Sequence, residues 1–489
     1  MLFNSYQFIV FFTIVFLVYY LLPHKFQWIM LLVASYYFYM CWEPKFVLLI
    51  LFSTLIHYFA ALGINKIDEG NNIARREFKK RIILFFSIGT SALILFIFKY
   101  FDFFSISIAK LFESCRLPIK PIVLSLILPM GISFYTFQTL SYTLDVYYRR
   151  IIPEKHFGYF ALYISFFPQL VAGPIERAER LIPQLKKKKK FDYVQVTYGL
   201  KLMAVGYLKK IVVADTLAKG VDKIYNNVEN YTGLVLVMAT VMFAIQIYCD
   251  FSGYSDIAIG CANTMGVRLM RNFDSPYLSV SIKEFWQRWH ISLSTWFRDY
   301  VYIPLGGNRR GAKTYRNLMI TFLLSGLWHG AAWTYILWGG IHGAYQIIEN
   351  IIERYVGKYI KIRKTNIIVQ GFRSLSTFGL VCFAWIFFRA NTIKDAFYII
   401  GNMFEGISEP KNYIKEGILL FENYHVIGVL MFEIVVLVII DIFQKSCDLI
   451  NMVSEKNFFV RWSIYIIFCT IIVFLASRGT STAFIYFQF

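Results

Sequence analysis

Leu323-Leu324-Ser325-Gly326-Leu327-Trp328-His329-Gly330-Ala331-Ala332-Trp333 is an apolar stretch with one ionisable side chain near its middle. It lies in a longer apolar run, 318–338, close to the roughly 20 residues a helix needs to cross a bilayer. Comparable runs recur at 8–22, 46–62, 82–98, 234–248, 367–388 and 426–440, with shorter ones at 122–135, 159–171 and 463–476. Backbone groups in lipid must be satisfied within their own segment, which selects helices. The residue alternation of a membrane barrel is absent. The reading is all-α and polytopic, with roughly ten to twelve spans.

Composition agrees. Of 489 residues, 57% are hydrophobic and 16% charged, against roughly a quarter charged in soluble domains. The run 8–22 has no basic segment before it and no small-residue cleavage site, so it reads as a retained first span. The stretch 267–313 mixes Trp, Phe and Tyr with charged residues and is too polar to span. It is expected to form amphipathic helices at the interface or re-entering the protein. No soluble domain and no internal repeat is visible.

The net charge is +20. Its basic residues cluster in loops between apolar runs: 75–81, Arg149 and Arg150, Lys186 to Lys190, Arg309 with Arg310 and Lys313, and Arg363 with Lys364. That is the positive-inside pattern, which places these loops in the cytoplasm and argues against nucleic-acid binding. The seven cysteines contain no CxxC pair, so neither a disulfide framework nor a metal site is indicated.

An ionisable group inside a span is costly and faces the bundle interior or a water-filled cavity. For His329 two readings stand open: a hydrogen bond to a neighbouring helix, or proton transfer, for which a pKa near 6.5 suits imidazole. In Phe285-Trp286-Gln287-Arg288-Trp289-His290, Trp286 and His290 are four apart, as are Phe285 and Trp289, so each pair shares a face if the segment is one helix. The alternative for His290 is an aromatic belt at the interface. His342 follows Gly339-Gly340 and is placed past a helix break, as a structural residue. Asp250 and Asp256 end the run 234–248; Asp250 can orient a histidine or pair with Arg288 or Arg298, or sit in a structural ion pair. Lys186 and Lys187, like Arg309 and Arg310, are candidates to hold a phosphate-bearing donor or an acidic carrier protein, or else to lie near anionic lipid headgroups. The chain ends Phe484-Ile485-Tyr486-Phe487-Gln488-Phe489 with no charge after Arg478, so this end is expected to insert rather than fray.

Four blocks in order resemble the membrane-bound O-acyltransferase family, in the bacterial polysaccharide branch that serves alginate O-acetylation and teichoic acid D-alanylation. They are Leu128-Pro129-Met130-Gly131-Ile132-Ser133-Phe134-Tyr135; Phe167-Pro168-Gln169-Leu170-Val171-Ala172-Gly173-Pro174; Phe285 through Tyr302-Ile303-Pro304-Leu305-Gly306-Gly307-Asn308; and Gly326-Leu327-Trp328-His329-Gly330. The resemblance implies a ring of helices around a central funnel, in which a tunnel joins a cytoplasmic donor site to an extracellular acceptor site. It implies that His329 is the catalytic histidine and His290 the second histidine, with Trp286, Arg288, Trp289, Trp328 and Asp250 in support.

The domain so implied is 1–480. The tail 481–489 matches a second pattern: Phe484-x-Tyr486-x-x-Phe489 resembles the C-terminal motif of the small peptide that partners the D-alanyl-transfer protein, which makes Tyr486 a candidate acyl carrier. Phenol and thiol pKa values, near 10 and 8.5, make an aryl ester closer in activation to a thioester than an alkyl ester is.

The expectation is an O-acyltransferase in a bacterial cell membrane with no permanently bound cofactor. Its donor is acetyl-CoA or an acyl carrier protein thioester. Its partners are membrane lipid, an extracellular SGNH or serine esterase-type acyltransferase and, as ultimate acceptor, a polysaccharide. The chain has no G-x-S-x-G elbow of its own. D-alanyl transfer, a transporter or lipid-linked sugar flippase, and an export-complex scaffold are the alternatives.

Overall fold

The computed structural model describes the chain apart from residues 69–72, 118, 172, 310, 312, 356–365, 412, 414–434, 436–437, 440, 443–447, 476–483 and 485–489, with backbone alone at 73, 74 and 475. Among the described residues the regular structure is entirely helical. Four of these helices are long and apolar enough to cross a membrane: Pro44–Asp68, Arg75–Ser114, Leu234–Thr264 and Ile367–Arg389. Tyr6–Leu21 and Phe458–Phe474 are shorter apolar helices. The described residues form two compact units, Met1–Leu200 with Ala258–Met270, and Lys201–Ile257 with Arg271–Phe489.

In the first unit, α1 (Tyr6–Leu21) begins at Ser5, whose hydroxyl accepts from the Phe8 amide at 3.2 Å. That bond satisfies one of the amides a helix start leaves open. α2 (His24–Met40), α3 (Val47–Asp68), α4 (Ile73–Leu95) and α5 (Ile132–Tyr147) follow. α3, α4 and α5 pack against one another and are pinned by polar contacts in their interior. The His57 Nδ1 lies 2.7 Å from the Thr143 hydroxyl, and its Nε2 2.8 Å from that of Ser91.

The second unit holds much of α6 (Leu234–Thr264), then α7 (Ile282–Arg288), α8 (Ile291–Phe297), α9 (Lys313–His329), α10 (Trp333–Tyr355) and α11 (Ile367–Arg389). The stretch 267–313, expected to form amphipathic helices, contains the short helices α7 and α8, and Trp286, Trp289, Leu293 and Trp296 are all buried. Trp289, Trp338 and Trp385 are fully buried and meet at ring separations of 5.2 and 5.7 Å. Lipid is as apolar as a side chain, so close fit rather than water exclusion drives such packing.

The run 318–338 is not one span. It folds as an antiparallel hairpin, α9 and α10, broken between His329 and Trp333. Gly326 makes the hairpin possible: a Cβ there would fall onto the carbonyl of Tyr335, and one on Gly339 onto that of Phe322. Two further expectations are corrected. His342 lies inside the unbroken α10, because Gly339 serves close approach and not a break. Asp250 and Asp256 lie within α6, which continues past Tyr248 to Thr264.

Candidate active site

His329 is the last residue of α9, not the centre of a span, and is 3% exposed. Aromatic rings enclose it edge-on: Trp338 at 4.9 Å, Trp328 at 5.0 Å and Phe388 at 5.4 Å between centroids.

His290 is fully buried and sits between α7 and α8 rather than on one helix with Trp286. Its φ of 43° is left-handed, uncommon for a residue with a side chain. Asn272 explains the shape. Its side-chain oxygen accepts from the Ser292 amide at 3.2 Å and the Ser292 hydroxyl at 2.7 Å, and lies 3.3 Å from His290 Nδ1. Its backbone carbonyl accepts from the Ile291 amide at 2.9 Å. An oxygen already accepting from an amide can only accept from the ring, so Nδ1 carries the proton and Nε2 the lone pair. The Trp328 ring lies 6.1 Å from His290 and 5.0 Å from His329, so one indole links the two histidines. Nothing in the sequence around Asn272 marks it.

A cavity of about 460 Å³ opens beside α7 to α10, lined in part by Lys283, Trp286, Arg298, Thr321, Ser325 and Gln346. Thr321 and Ser325 are one turn apart on α9, and His329 is the next residue of that stripe. On the facing helix Asn350 and Gln346 line the same cavity, and His342 and Trp338 continue their stripe. Two stripes of side chains, on α9 and α10, therefore run from the cavity toward His329. The base of α9 is held by Asn317, whose amide donates to the carbonyls of Leu305 and Gly307 at 3.2 and 3.1 Å and so fixes the loop ending at Asn308.

Other expected site residues fall as follows. Trp286 lines the cavity and donates from Nε1 to His342 Nδ1 at 3.2 Å, and Trp289 stacks on Phe285 at 5.5 Å. Arg288 pairs with Glu284 at 2.7 Å and Arg298 with Asp299 at 2.9 Å. Neither pairs with Asp250, which takes Lys210 at 2.8 Å. Lys210 also holds Asp215 at 2.8 Å, and Lys209 holds Asp256 at 2.8 Å, with both lysines buried. Both lysines lie within a π-helical segment, Leu208–Ala214, whose apolar neighbours conceal them in the sequence. Arg309 is exposed next to the cavity residue Asn308; Arg310 lies outside the described residues. In the first unit, Lys186 pairs with Glu154 at 2.5 Å. Lys187 lines a separate surface pocket of about 560 Å³ with Lys188 to Lys190. Of these, Lys189 donates to the Gly266 carbonyl at 2.7 Å, and burial holds its ammonium below the ordinary value, with Lys187 and Arg268 adding to the effect.

Of the tail, Phe484 is described and Tyr486 and Phe489 lie outside the described residues. Phe484 is 1% exposed, with its ring 4.6 Å from Tyr254 and 5.5 Å from Phe251. Phe251 stands edge-on to His290 at 4.6 Å.

Residues 31–388, which contain both histidines, match the membrane-bound O-acyltransferase family. The chain is 40% identical over 407 residues to a probable alginate O-acetylase of Pseudomonas putida, across 83% of this chain and 80% of that one. It is 34% identical over 400 residues to a peptidoglycan O-acetyltransferase of Helicobacter pylori, across 76% and 73%. To a teichoic acid D-alanyltransferase of Bacillus subtilis it is 31% identical over 276 residues, across 53% and 68%. The chain therefore belongs to the membrane-bound O-acyltransferase family and is a membrane acyltransferase.

Proposed function

We propose that this acyltransferase takes an acetyl group from a cytoplasmic thioester, acetyl-CoA or an acetylated carrier protein, and passes it through Tyr486 to an extracellular partner that acetylates a cell-surface polysaccharide. The observation that carries the donor half is the polar stripe from Thr321 through Ser325 to His329, leading out of a cavity with Lys283 and Arg298 on its wall. A pantetheine arm is a narrow chain with two amides and a phosphate at its outer end. Hydroxyls, the Gln346 amide and two cations are suitable partners for those groups. His329 removes the acceptor's proton as the acyl group arrives. The relatives of greater identity and coverage are named for O-acetylation, which favours acetyl over D-alanyl.

The tail half rests on Phe484. The Phe484 ring meets Phe251, which stands edge-on to His290, and Tyr486 follows Phe484 by two residues in the sequence. Lys187 and its neighbours in the first unit are a candidate landing surface for the donor's phosphates or for an acidic carrier.

The test is intact mass spectrometry after incubation of purified protein with labelled acetyl-CoA. An acetyl adduct is expected on the wild type and is lost in both His329→Ala and Tyr486→Phe. An adduct that persists in Tyr486→Phe removes the tail from the pathway. No turnover of any thioester, with or without the partner, overturns the donor reading. D-alanyl transfer is the second reading, and labelling by D-alanyl carrier protein but not acetyl-CoA selects it.

A further inference from the structure

Two buried N–H groups, one on Trp338 beside His329 and one a turn further along α10, have no use in the reaction as drawn so far. Trp338 is fully buried, 4.9 Å from His329 and set at 87° to it. Its Nε1–H is buried, and no protein group accepts from it among the described residues. One turn on, His342 is also fully buried, 5.1 Å from Trp338. Its Nδ1 accepts from the Trp286 indole at 3.2 Å, which puts the imidazole proton on Nε2. That Nε2–H likewise has no protein acceptor among the described residues.

An unsatisfied buried donor is costly, and a native structure keeps few of them. Packing against Trp286, Trp385 and Phe388 accounts for the Trp338 ring, and the Trp286 hydrogen bond for His342 Nδ1, but neither accounts for the two N–H groups. Acyl transfer gives one. Attack on a thioester carbonyl places a full negative charge on its oxygen, and preformed donors in a water-poor site stabilise that charge without reorganising.

We propose that Trp338 Nε1–H, with His342 Nε2–H as second donor, forms the oxyanion hole of this acyltransferase. The proposal rests on the thioester reading above. The acceptor O–H gives its proton to His329 as its oxygen bonds to the carbonyl carbon, and the carbonyl oxygen becomes the oxyanion held by the two donors. Collapse re-forms the carbonyl and breaks the C–S bond, and the departing thiolate takes the proton back from His329. Thioester and alcohol become ester and thiol, with no proton gained or lost overall.

The test replaces Trp338 with β-(3-benzothienyl)alanine, which keeps the ring shape and exchanges N–H for sulfur. Single-turnover rates with acetyl-CoA are read against the wild type. The expected result is a fall in kcat of roughly 100-fold or more with donor KM within twofold. A wild-type rate in this variant overturns the proposal. A wild type that turns over no thioester overturns the donor reading instead, so the two failures are distinct. At position 342, His342→Phe is expected to lose rate and His342→Gln, which keeps an N–H, to recover part of it; equal loss in both removes the second donor. Where the replaced protein does not assemble, Trp338→Phe carries the test through binding. It should weaken a trifluoromethyl ketone analogue of the donor, which forms a tetrahedral oxyanion, and leave an S-ethyl analogue without a carbonyl unchanged. Equal weakening of both overturns the assignment.

Discussion

His57 and His329 are both buried imidazoles in apolar segments, yet they are built differently. His57 lies inside α3 of the first unit, with one ring nitrogen on Thr143 and the other on Ser91, hydroxyls contributed by two neighbouring helices. The ring is a cross-link: each nitrogen has a hydroxyl in its own unit. His329 ends a helix, lies within rings on three sides, and stands at the head of two stripes of side chains that come from a cavity. For His57 the cost of burying an ionisable side chain is met by fixed hydroxyls; for His329 the proposed role is to move a proton. A lone histidine in an apolar run is therefore weak information; its position along the helix and the residues four and eight before it are strong.

The sharpest way to break this contrast is to remove both rings in turn. His329→Ala is expected to lower acyl transfer by roughly 10²- to 10⁴-fold, the usual worth of a positioned acid–base group, with the thermal unfolding midpoint little changed. His57→Ala should do the reverse. It strands two buried hydroxyls at roughly 1–3 kcal/mol each at most, lowering the midpoint while the rate per folded molecule stays within twofold. Rates and unfolding curves on the same preparations decide it. If His57→Ala loses turnover at full stability, the cross-link reading fails.

The buried charges separate the two kinds of residue on a smaller scale. Breaking an isolated buried ion pair costs roughly 3–5 kcal/mol. Lys210 has two carboxylates, so Asp250→Asn leaves Asp215 in place at 2.8 Å and should cost less than that range. The double change Asp215→Asn with Asp250→Asn should exceed the sum of the singles, because only then is the ammonium uncompensated. Chemical denaturation of all three variants measures it, and simple additivity would mean that Lys210 finds another partner.

What the sequence made legible follows from period and order. Apolar runs of spanning length gave the helical class, and the blocks around Phe285 and His329 gave the family, because each is a local string. Less was visible where distant segments meet. The spacing of Trp286 and His290 suggested one helix, but the backbone turns left-handed at His290 to satisfy Asn272, eighteen residues earlier and chemically unmarked. The run 318–338 is predominantly apolar, and the close approaches of Gly326 to Tyr335 and of Gly339 to Phe322 reveal the hairpin within it. Nothing local marks Lys209 and Lys210 as buried partners of Asp250 and Asp256, which come from α6. Asn272→Ala tests how far this distant support matters. It removes the oxygen that orients His290 and should lower transfer about tenfold at fixed donor KM, with Asn272→Asp recovering part of the loss through the acceptor it retains.

The smallest expected effect concerns the tail. Phe484 rests on Tyr254 and Phe251, and Phe251 in turn on His290, so a contact made by the end of the chain is two rings from the site. Each aromatic pair is worth about 0.5–1.5 kcal/mol. Phe484→Ala therefore lowers the docked fraction of the tail without removing Tyr486, and the tether keeps the local concentration of the phenol high. Adduct formation should slow by no more than about tenfold. Phe484→Leu should fall between the two, because it keeps bulk but loses the ring. Transfer of acetyl to a small added phenol should stay at its wild-type rate, since His329 and its two stripes are untouched. Equal loss with the added phenol would place Phe484 among the residues that build the site, on the side of His57 in the contrast above, and not among those that deliver a substrate to it.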